Sequence, residues 1–285
     1  MIKHFLDLNS FSKIELRKIL DFAKKLKKNQ IKYSNQLQNK SLGLLFEKQS
    51  TRTRLSFSIG VQNLGGNLIE LDQNQIGFGT RESTEDILKV LSQYIDVLMI
   101  RNNDHKQLLH FASLNVLPII NGLSNLSHPC QILSDIFTIE EFLGKIKNKN
   151  ISWIGDYNNV LTSLIQASEI FEFNLNVIIP KLLFLNFNKM FDYKKLKYAK
   201  FFHSIDQGIK NTDCVMTDAW ISMGEKNSNK KKNLLKKFQV NDDIMKKTKN
   251  NAIFMHCLPA HRNEEVTDSV IDGTKSVVWQ QAKNR

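Results

Sequence analysis

Short apolar runs alternate along the chain with longer stretches whose apolar positions recur every three or four residues. Leu42–Phe46, Asn67–Leu71, Val97–Ile100 and Val116–Ile120 read as buried strands. Between them, Arg52–Leu64, Thr84–Tyr94 and Lys106–Leu114 carry the helical period. A second series follows, with strands at Ile151–Ile154, Leu175–Ile179, Cys214–Thr217 and Ala252–Met255 and a helix at Val160–Phe171. Strands alternating with helices predict crossover connections and parallel sheets, hence an α/β fold. Cys130–Leu143 predicts one strong helix, with Ile132, Leu133, Ile136, Phe137 and Phe142 on one side and Pro129 at its first position. Gly144 and residues 145–150 then read as a helix stop and linker. The expected architecture is two open parallel-sheet α/β domains, residues 1–144 and 145–285, joined by a helix. Such domains bind ligands at the carboxyl ends of their strands and in the cleft between them.

Composition narrows the class. The 285 residues are 41% hydrophobic and 24% charged, which excludes wholesale disorder. The net charge of +12 is compatible with an anionic substrate, a nucleic acid or a membrane surface. Much of that charge lies in residues 181–200 and 226–249; in the second, Lys230, Lys231, Lys232, Lys236 and Lys237 are interleaved with asparagines and few aromatics. The expectation for both stretches is a solvated surface and no nucleic-acid partner, because single-strand binding needs aromatic stacking platforms. Cys130, Cys214 and Cys257 are widely spaced and form no CxxC pair. That points to a reducing compartment without disulfides or a zinc site. No apolar run approaches the ~18 residues of a membrane span. The opening MIKHFLDLNS is too mixed for a signal peptide. A cytoplasmic location with no membrane partner is expected.

Four motifs carry candidate chemistry. Ser50-Thr51-Arg52-Thr53-Arg54 follows the first strand and opens the next helix. Hydroxyls and an arginine at a helix N-terminus suit a phosphate; a capped helix with exposed arginines is the plain alternative. His128-Pro129-Cys130-Gln131 presents His128 and Gln131 on one face of a helix start, able to polarise a carbonyl and hold an amide; taken alone, a satisfied surface histidine is the stronger reading. Asp218-Ala219-Trp220-Ile221-Ser222-Met223-Gly224 places a carboxylate at a strand end, able to clasp an ammonium group; a loop with a capping Asp is the plain alternative. His256-Cys257-Leu258-Pro259 follows the last strand; its thiol fits either an activated nucleophile or a positioning group. Neighbours in an extended segment point to opposite sides, so a His256–Cys257 ion pair does not follow from adjacency. Arg101, after its own strand, and Asn158-Asn159 are weaker candidates. Five of these features sit just beyond a strand's carboxyl end, where an open parallel sheet holds its ligand.

Together the motifs resemble the aspartate/ornithine carbamoyltransferase family over nearly the whole chain and in the same order. FEKQSTRTRLSF is similar to the family's carbamoyl-phosphate loop and HPCQ to its carbonyl-binding helix start. DAWISMG and HCLP resemble the ornithine-specific signatures. The resemblance implies transfer of a carbamoyl group from carbamoyl phosphate to L-ornithine, with L-citrulline and phosphate as products. It implies that Ser50, Thr51, Arg52 and Thr53 hold the phosphate, that Arg101 bridges phosphate and carbonyl oxygen, and that His128 donates to that oxygen while Gln131 holds the carbamoyl amide. Asn159, Asp218, Ser222 and Met223 match ornithine-binding positions. Cys257 and Leu258 match the pair beside the reacting carbon, Arg285 an arginine near the carbamoyl group, and Gln75 a residue lent to a neighbouring subunit. A homotrimer or multiple of trimers is implied, with no metal and no organic cofactor. Members of the family continue past the position of Arg285 into a terminal helix.

The chemistry agrees with this implication. Carbamoyl phosphate already carries a good leaving group, so an enzyme must hold its anionic oxygens, polarise its carbonyl and deliver a neutral amine. The ornithine side chain is an ammonium near neutral pH, by analogy with lysine at ~10.4. Asp218 would anchor the α-ammonium and aim the far amine. Cys257 then orients that amine and assists its deprotonation without forming a covalent intermediate. The alternatives are a carbamoyltransferase acting on another amine or amino acid such as aspartate, a truncated inactive relative, and, from the net charge, a nucleic-acid binder.

Overall fold

The computed structural model describes residues 2–48, 50–72, 76–78, 80–187, 193–221 and 229–285. The chain divides into two compact units, Met1–Leu133 and Ser134–Arg285. The dividing point lies inside the helix α5 (Pro129–Leu143), which the sequence predicts as a single element.

The first unit holds a four-stranded parallel sheet of order β2-β1-β3-β4, formed by β1 (Ser41–Phe46), β2 (Asn67–Asp72), β3 (Val97–Arg101) and β4 (Ile119–Leu123). The helices α2 (Thr51–Asn63), α3 (Thr84–Leu91) and α4 (His105–Ser113) make the crossovers; α1 (Lys13–Lys28) precedes them. Side chains alternate across the sheet. Leu44 and Met99 join Val61 of α2 on one face, whereas Leu45, Leu98 and Ile100 join Leu88 and Phe111 of α3 and α4 on the other. Both faces are therefore covered, which is why these strands read as continuous apolar runs rather than alternating ones.

The second unit holds a five-stranded parallel sheet of order β7-β6-β5-β8-β9. Its strands are β5 (Asn150–Ile154), β6 (Asn174–Ile178), β7 (Ala199–Phe202), β8 (Cys214–Thr217) and β9 (Ile253–His256). Ile154, Ile178, Val215 and Phe254 form the inner core with Ile244, Val266, Ile271 and Val278. Its helices among the described residues are α6 (Asn159–Phe171), α7 (Lys181–Phe187), α8 (Ile205–Gly208), α9 (Asn229–Leu235), α10 (Asp242–Lys246), α11 (Asp268–Ile271) and α12 (Val278–Lys283).

Two elements depart from the sequence reading. β4 begins at Ile119 rather than Val116, because Pro118 has no N–H to give a ladder. The strand extends instead through Asn121 and Gly122, where Phe5 pairs with it: Phe5 N–H donates to the Ile119 carbonyl and Asn121 N–H to the Phe5 carbonyl, both at 2.8 Å. β7 was concealed in the lysine-rich stretch read as solvated surface. It is an edge strand whose exposed Lys200 suits a position open to water.

Strand order locates the binding ends. In the first sheet the winding direction reverses between β1 and β3, and in the second between β5 and β8. Open α/β sheets bind ligands at the carboxyl ends of strands flanking that reversal.

Candidate functional site

In the first unit, β1 and β3 run in register with Phe46 opposite Arg101, so both chains leave the sheet at one level. Arg101, the last residue of β3 rather than the residue after it, sends Nη1 to Ser50 Oγ at 2.9 Å and to Thr53 Oγ1 at 3.2 Å. Ser50 precedes α2 with an extended backbone but its side chain caps no helix N–H. Ser12 and Ser83 do cap the helices they precede. The capped-helix alternative therefore fails for Ser50: its hydroxyl faces an arginine instead of capping α2. Thr53 is fully buried, Arg52 partly exposed and Thr51 exposed. Arg54 turns away to Glu70 Oε2, 3.5 Å off, with its guanidinium over the Phe46 ring. A cavity of about 270 Å³ at this end of the sheet is lined by Glu47, Thr80, Arg101 and Gln107.

His128 and Gln131 are both buried, 3% and 2% exposed, at the start of α5. A compact turn after β4 sets their position. Ser127 N–H donates to Ser124 Oγ, Asn121 Nδ2 donates to Ser127 Oγ at 3.0 Å, and His105 Nδ1 lies 2.7 Å from Ser124 Oγ. His105 Nε2 is in turn 3.3 Å from Asp7.

In the second unit, the register Thr217 opposite His256 sets Asp218 beside Cys257. Cys257 Sγ donates to Asp218 Oδ1 at 3.0 Å, and Asn158 Nδ2 donates to Asp218 Oδ2 at 2.7 Å. Asn158 meanwhile caps α6, accepting from the Val160 and Leu161 N–H groups. One side chain thus fixes both the helix start and the carboxylate. β5 ends at Ile154 and the chain turns at Gly155, whose φ of +131° favours glycine and where a Cβ would stand 3.3 Å from Thr217 Oγ1. Asn159 is the first residue of α6 and partly exposed.

Burial raises the Cys257 thiol well above its ordinary value, and the Asp218 carboxylate raises it further; the Arg285 charge acts in the opposite direction. The thiol is therefore protonated at neutral pH, which disfavours the thiolate-nucleophile alternative. His256 is not its partner. Leu258 N–H donates to His256 Nδ1 at 2.9 Å, so Nε2 carries the proton and faces Glu265 Oε1 at 3.1 Å. Glu265 also accepts from His261 N–H, and the carboxylate is fully buried. This holds Leu258 in a left-handed conformation, φ 58°, that costs an ordinary L-residue about 1–2 kcal/mol. Gln281 of α12 completes the support, accepting from His256 N–H at 2.9 Å and donating to the buried Asp135 at 2.8 Å. Replacing Glu265 by Ala removes a buried charged acceptor and is expected to cost about 2–3 kcal/mol in urea unfolding; an unchanged midpoint would contradict its supporting role.

Asp218, His256 and Cys257 bring potential metal ligands within 4.8 Å of one another. Both His256 nitrogens are already engaged, however. In the second such group, His261, Glu264 and Glu265, the Lys232 ammonium stands 2.5 Å from Glu264.

Sequence reasoning missed Glu265, Gln281 and the role of Asn158. An asparagine just ahead of an apolar helical pattern is a cap signal that would have found the last. Gln75, Ser222 and Met223 lie outside the described residues.

A family model described as the aspartate/ornithine carbamoyltransferase carbamoyl-P binding domain matches residues 3–141, and one for the family's Asp/Orn binding domain matches 147–285. The chain is 44% identical to the ornithine carbamoyltransferase of Nitrobacter winogradskyi over 288 residues, covering 99% of this chain and 93% of that one. It is 43% identical to that of Rhizobium meliloti, covering 100% and 95%. The crystal structure of the Burkholderia thailandensis ornithine carbamoyltransferase superposes with a TM-score of 0.90 at 38% identity, covering 99% of this chain and 94% of that one. That of Pyrococcus furiosus gives 0.90 at 37%, covering 99% and 93%. With family models matching residues 3–141 and 147–285 and relatives aligned over nearly the full length, the chain belongs to the aspartate/ornithine carbamoyltransferase family.

Proposed function

We propose that this chain transfers the carbamoyl group of carbamoyl phosphate to the side-chain amine of L-ornithine, giving L-citrulline and phosphate. The observation that carries the choice of ornithine is Asp218, a carboxylate held at a strand end by Asn158 and Cys257. A carboxylate there suits the α-ammonium of a diamino acid and repels the second carboxylate of aspartate.

In this reading Ser50, Thr51, Arg52, Thr53 and the N–H groups of α2 hold the phosphate, and Arg101 reaches from it to the carbonyl oxygen. His128 donates to that oxygen as negative charge develops, and Gln131 holds the carbamoyl amide. Asn159 and Asp218 bind ornithine with Ser222 and Met223. Cys257, Leu258 and Arg285 attend the carbamoyl group. The neutral δ-amine attacks the carbonyl carbon, the carbon–oxygen bond to phosphate breaks, and the amine proton is relayed, passing to Cys257 Sγ as the thiol gives its own proton to Asp218. The domains divide the work, with residues 1–144 for carbamoyl phosphate and 145–285 for ornithine. Positioning and oxyanion stabilisation supply most of the rate.

Trimer assembly, with Gln75 lent to a neighbour, draws support from two apolar side chains exposed on the first unit: Leu55 and Ile59, one turn apart on α2, are 55% and 51% exposed. Placement in the cytoplasm rests on the widely spaced free cysteines. Among the described residues, no helix is long and apolar enough to cross a membrane.

Phosphate release measured with ornithine, aspartate, lysine and 1,4-diaminobutane tests the reading. Turnover is expected with ornithine alone at physiological concentrations; preference for aspartate, or no turnover by folded protein, would overturn it. A raised thiol also predicts that Cys257 resists iodoacetamide at pH 7 and reacts only as pH rises above its ordinary range, and that Cys257→Ser retains partial activity. Fast alkylation at pH 7 or a trapped carbamoyl-thioester would contradict direct transfer.

A further inference from the structure

A lysine from the stretch expected to be solvated reaches the second unit's strand ends. Lys231 of α9 places Nζ 2.7 Å from Asp156 Oδ2, with side-chain exposures of 17% and 4%. Asp156 follows β5 as Asp218 follows β8, and these strands flank the winding reversal. The Asp156 carbonyl accepts from the Trp153 indole at 2.8 Å, and two residues later Asn158 holds Asp218. Two carboxylates therefore stand at neighbouring strand ends, and one of them already carries an internal ammonium.

A buried ion pair is weak support for stability, since an apolar pair of similar volume is often as good or better. Its chemical consequence for a diamine substrate is larger. Ornithine carries two ammonium groups about as far apart as its three methylenes allow. If both carboxylates accepted substrate nitrogen, the δ-nitrogen would be held protonated and would have no lone pair for attack. We infer that Lys231 is a positioning and specificity residue: its ammonium occupies Asp156, so that Asp218 takes the α-ammonium and the δ-nitrogen is left free to deprotonate. This rests on the ornithine reading above.

The test compares wild type with Lys231→Met, Lys231→Arg, Asp156→Asn and the Asp156→Asn/Lys231→Met pair. Measured are kcat and KM for ornithine across pH, inhibition by 1,4-diaminobutane, and carbamoyl-phosphate affinity by calorimetry. Lys231→Met removes the ammonium that faces the Asp156 carboxylate. Diamine inhibition should tighten about tenfold and the rate profile should move to higher pH, with carbamoyl-phosphate affinity unchanged. Lys231→Arg should behave as wild type. Asp156→Asn removes the carboxylate that faces the Lys231 ammonium at 2.7 Å and should raise ornithine KM about tenfold. The double variant should restore both KM and the diamine constant.

An unmoved pH profile and diamine constant in folded Lys231→Met would overturn the inference. Should that variant fail to fold, Asp156→Asn against the double variant decides: a KM rise that survives in the double variant contradicts it. If the wild-type chain forms no citrulline, the ornithine reading itself fails. Calorimetry of diamine binding to wild type and Lys231→Met still judges the role of the ion pair separately.

Discussion

Arg52→Ala is expected to weaken carbamoyl-phosphate binding about a hundredfold. Two charge-assisted contacts to a phosphate oxygen, at about 1.5–3 kcal/mol each before the remaining groups readjust, give a loss of that order. Ser50, Thr53, Arg101 and the α2 N–H groups stay behind, so binding falls rather than vanishes. Arg54 does not substitute, because it is engaged with Glu70 and Phe46 on the far side of the helix start. The loss should also make the residual affinity less sensitive to salt. Calorimetric titration with carbamoyl phosphate measures it; an unchanged affinity would remove Arg52 from the phosphate site.

The larger effect is expected from Asp218→Asn. The substitution preserves shape but removes the charge that anchors the ornithine ammonium, and its amide presents a donor to Asn158 Nδ2 or to Cys257 where an acceptor stood. A drop of about a thousandfold in kcat/KM for ornithine follows from an ion pair and one mismatched buried bond, about 4 kcal/mol together. Carbamoyl-phosphate affinity should be spared. The thiol supplies an independent readout. Because the Asp218 carboxylate contributes to its raised pKa, removing that charge should let Cys257 titrate lower and alkylate faster at a given pH. Equal loss of affinity for both substrates, or a thiol that titrates as before, would argue against this geometry.

The strands legible in the sequence are those that keep an apolar run, including the half-exposed edge strand β2 with Leu68, Ile69 and Leu71. Leu42–Phe46 and Cys214–Thr217 are unbroken apolar runs because helices cover both sides of their sheets. β7 was illegible because an edge strand tolerates Lys200 and needs only one covered side. β4 was displaced because its last residues, Asn121, Gly122 and Leu123, are held extended by pairing with β3, with Phe5 adding a bond at Asn121 from far along the chain. At the strand ends, motif residues such as Ser50, Arg101, Asp218 and Cys257 stood out because their types suit phosphate, carbonyl and ammonium chemistry. Their supporting groups did not. Glu265 belongs to an ordinary acidic pair, Gln281 to a polar terminal helix, and Lys231 to a lysine run that composition assigns to solvent. Only the packing of β9 against α12, and of α9 over the turn after β5, gives those side chains buried partners. Local sequence therefore reports the groups that meet substrate better than the groups that hold them.

Direct transfer to the ornithine side chain is tested most directly by the bond it forms. Incubating this chain with carbamoyl phosphate labelled with carbon-13 and ornithine labelled with nitrogen-15 at the δ position allows the product to be followed by NMR. A single ureido carbon coupled through one bond to nitrogen-15, appearing in step with phosphate, is the predicted result. A labelled carbon without that coupling, or phosphate released with no ureido product, would contradict the account.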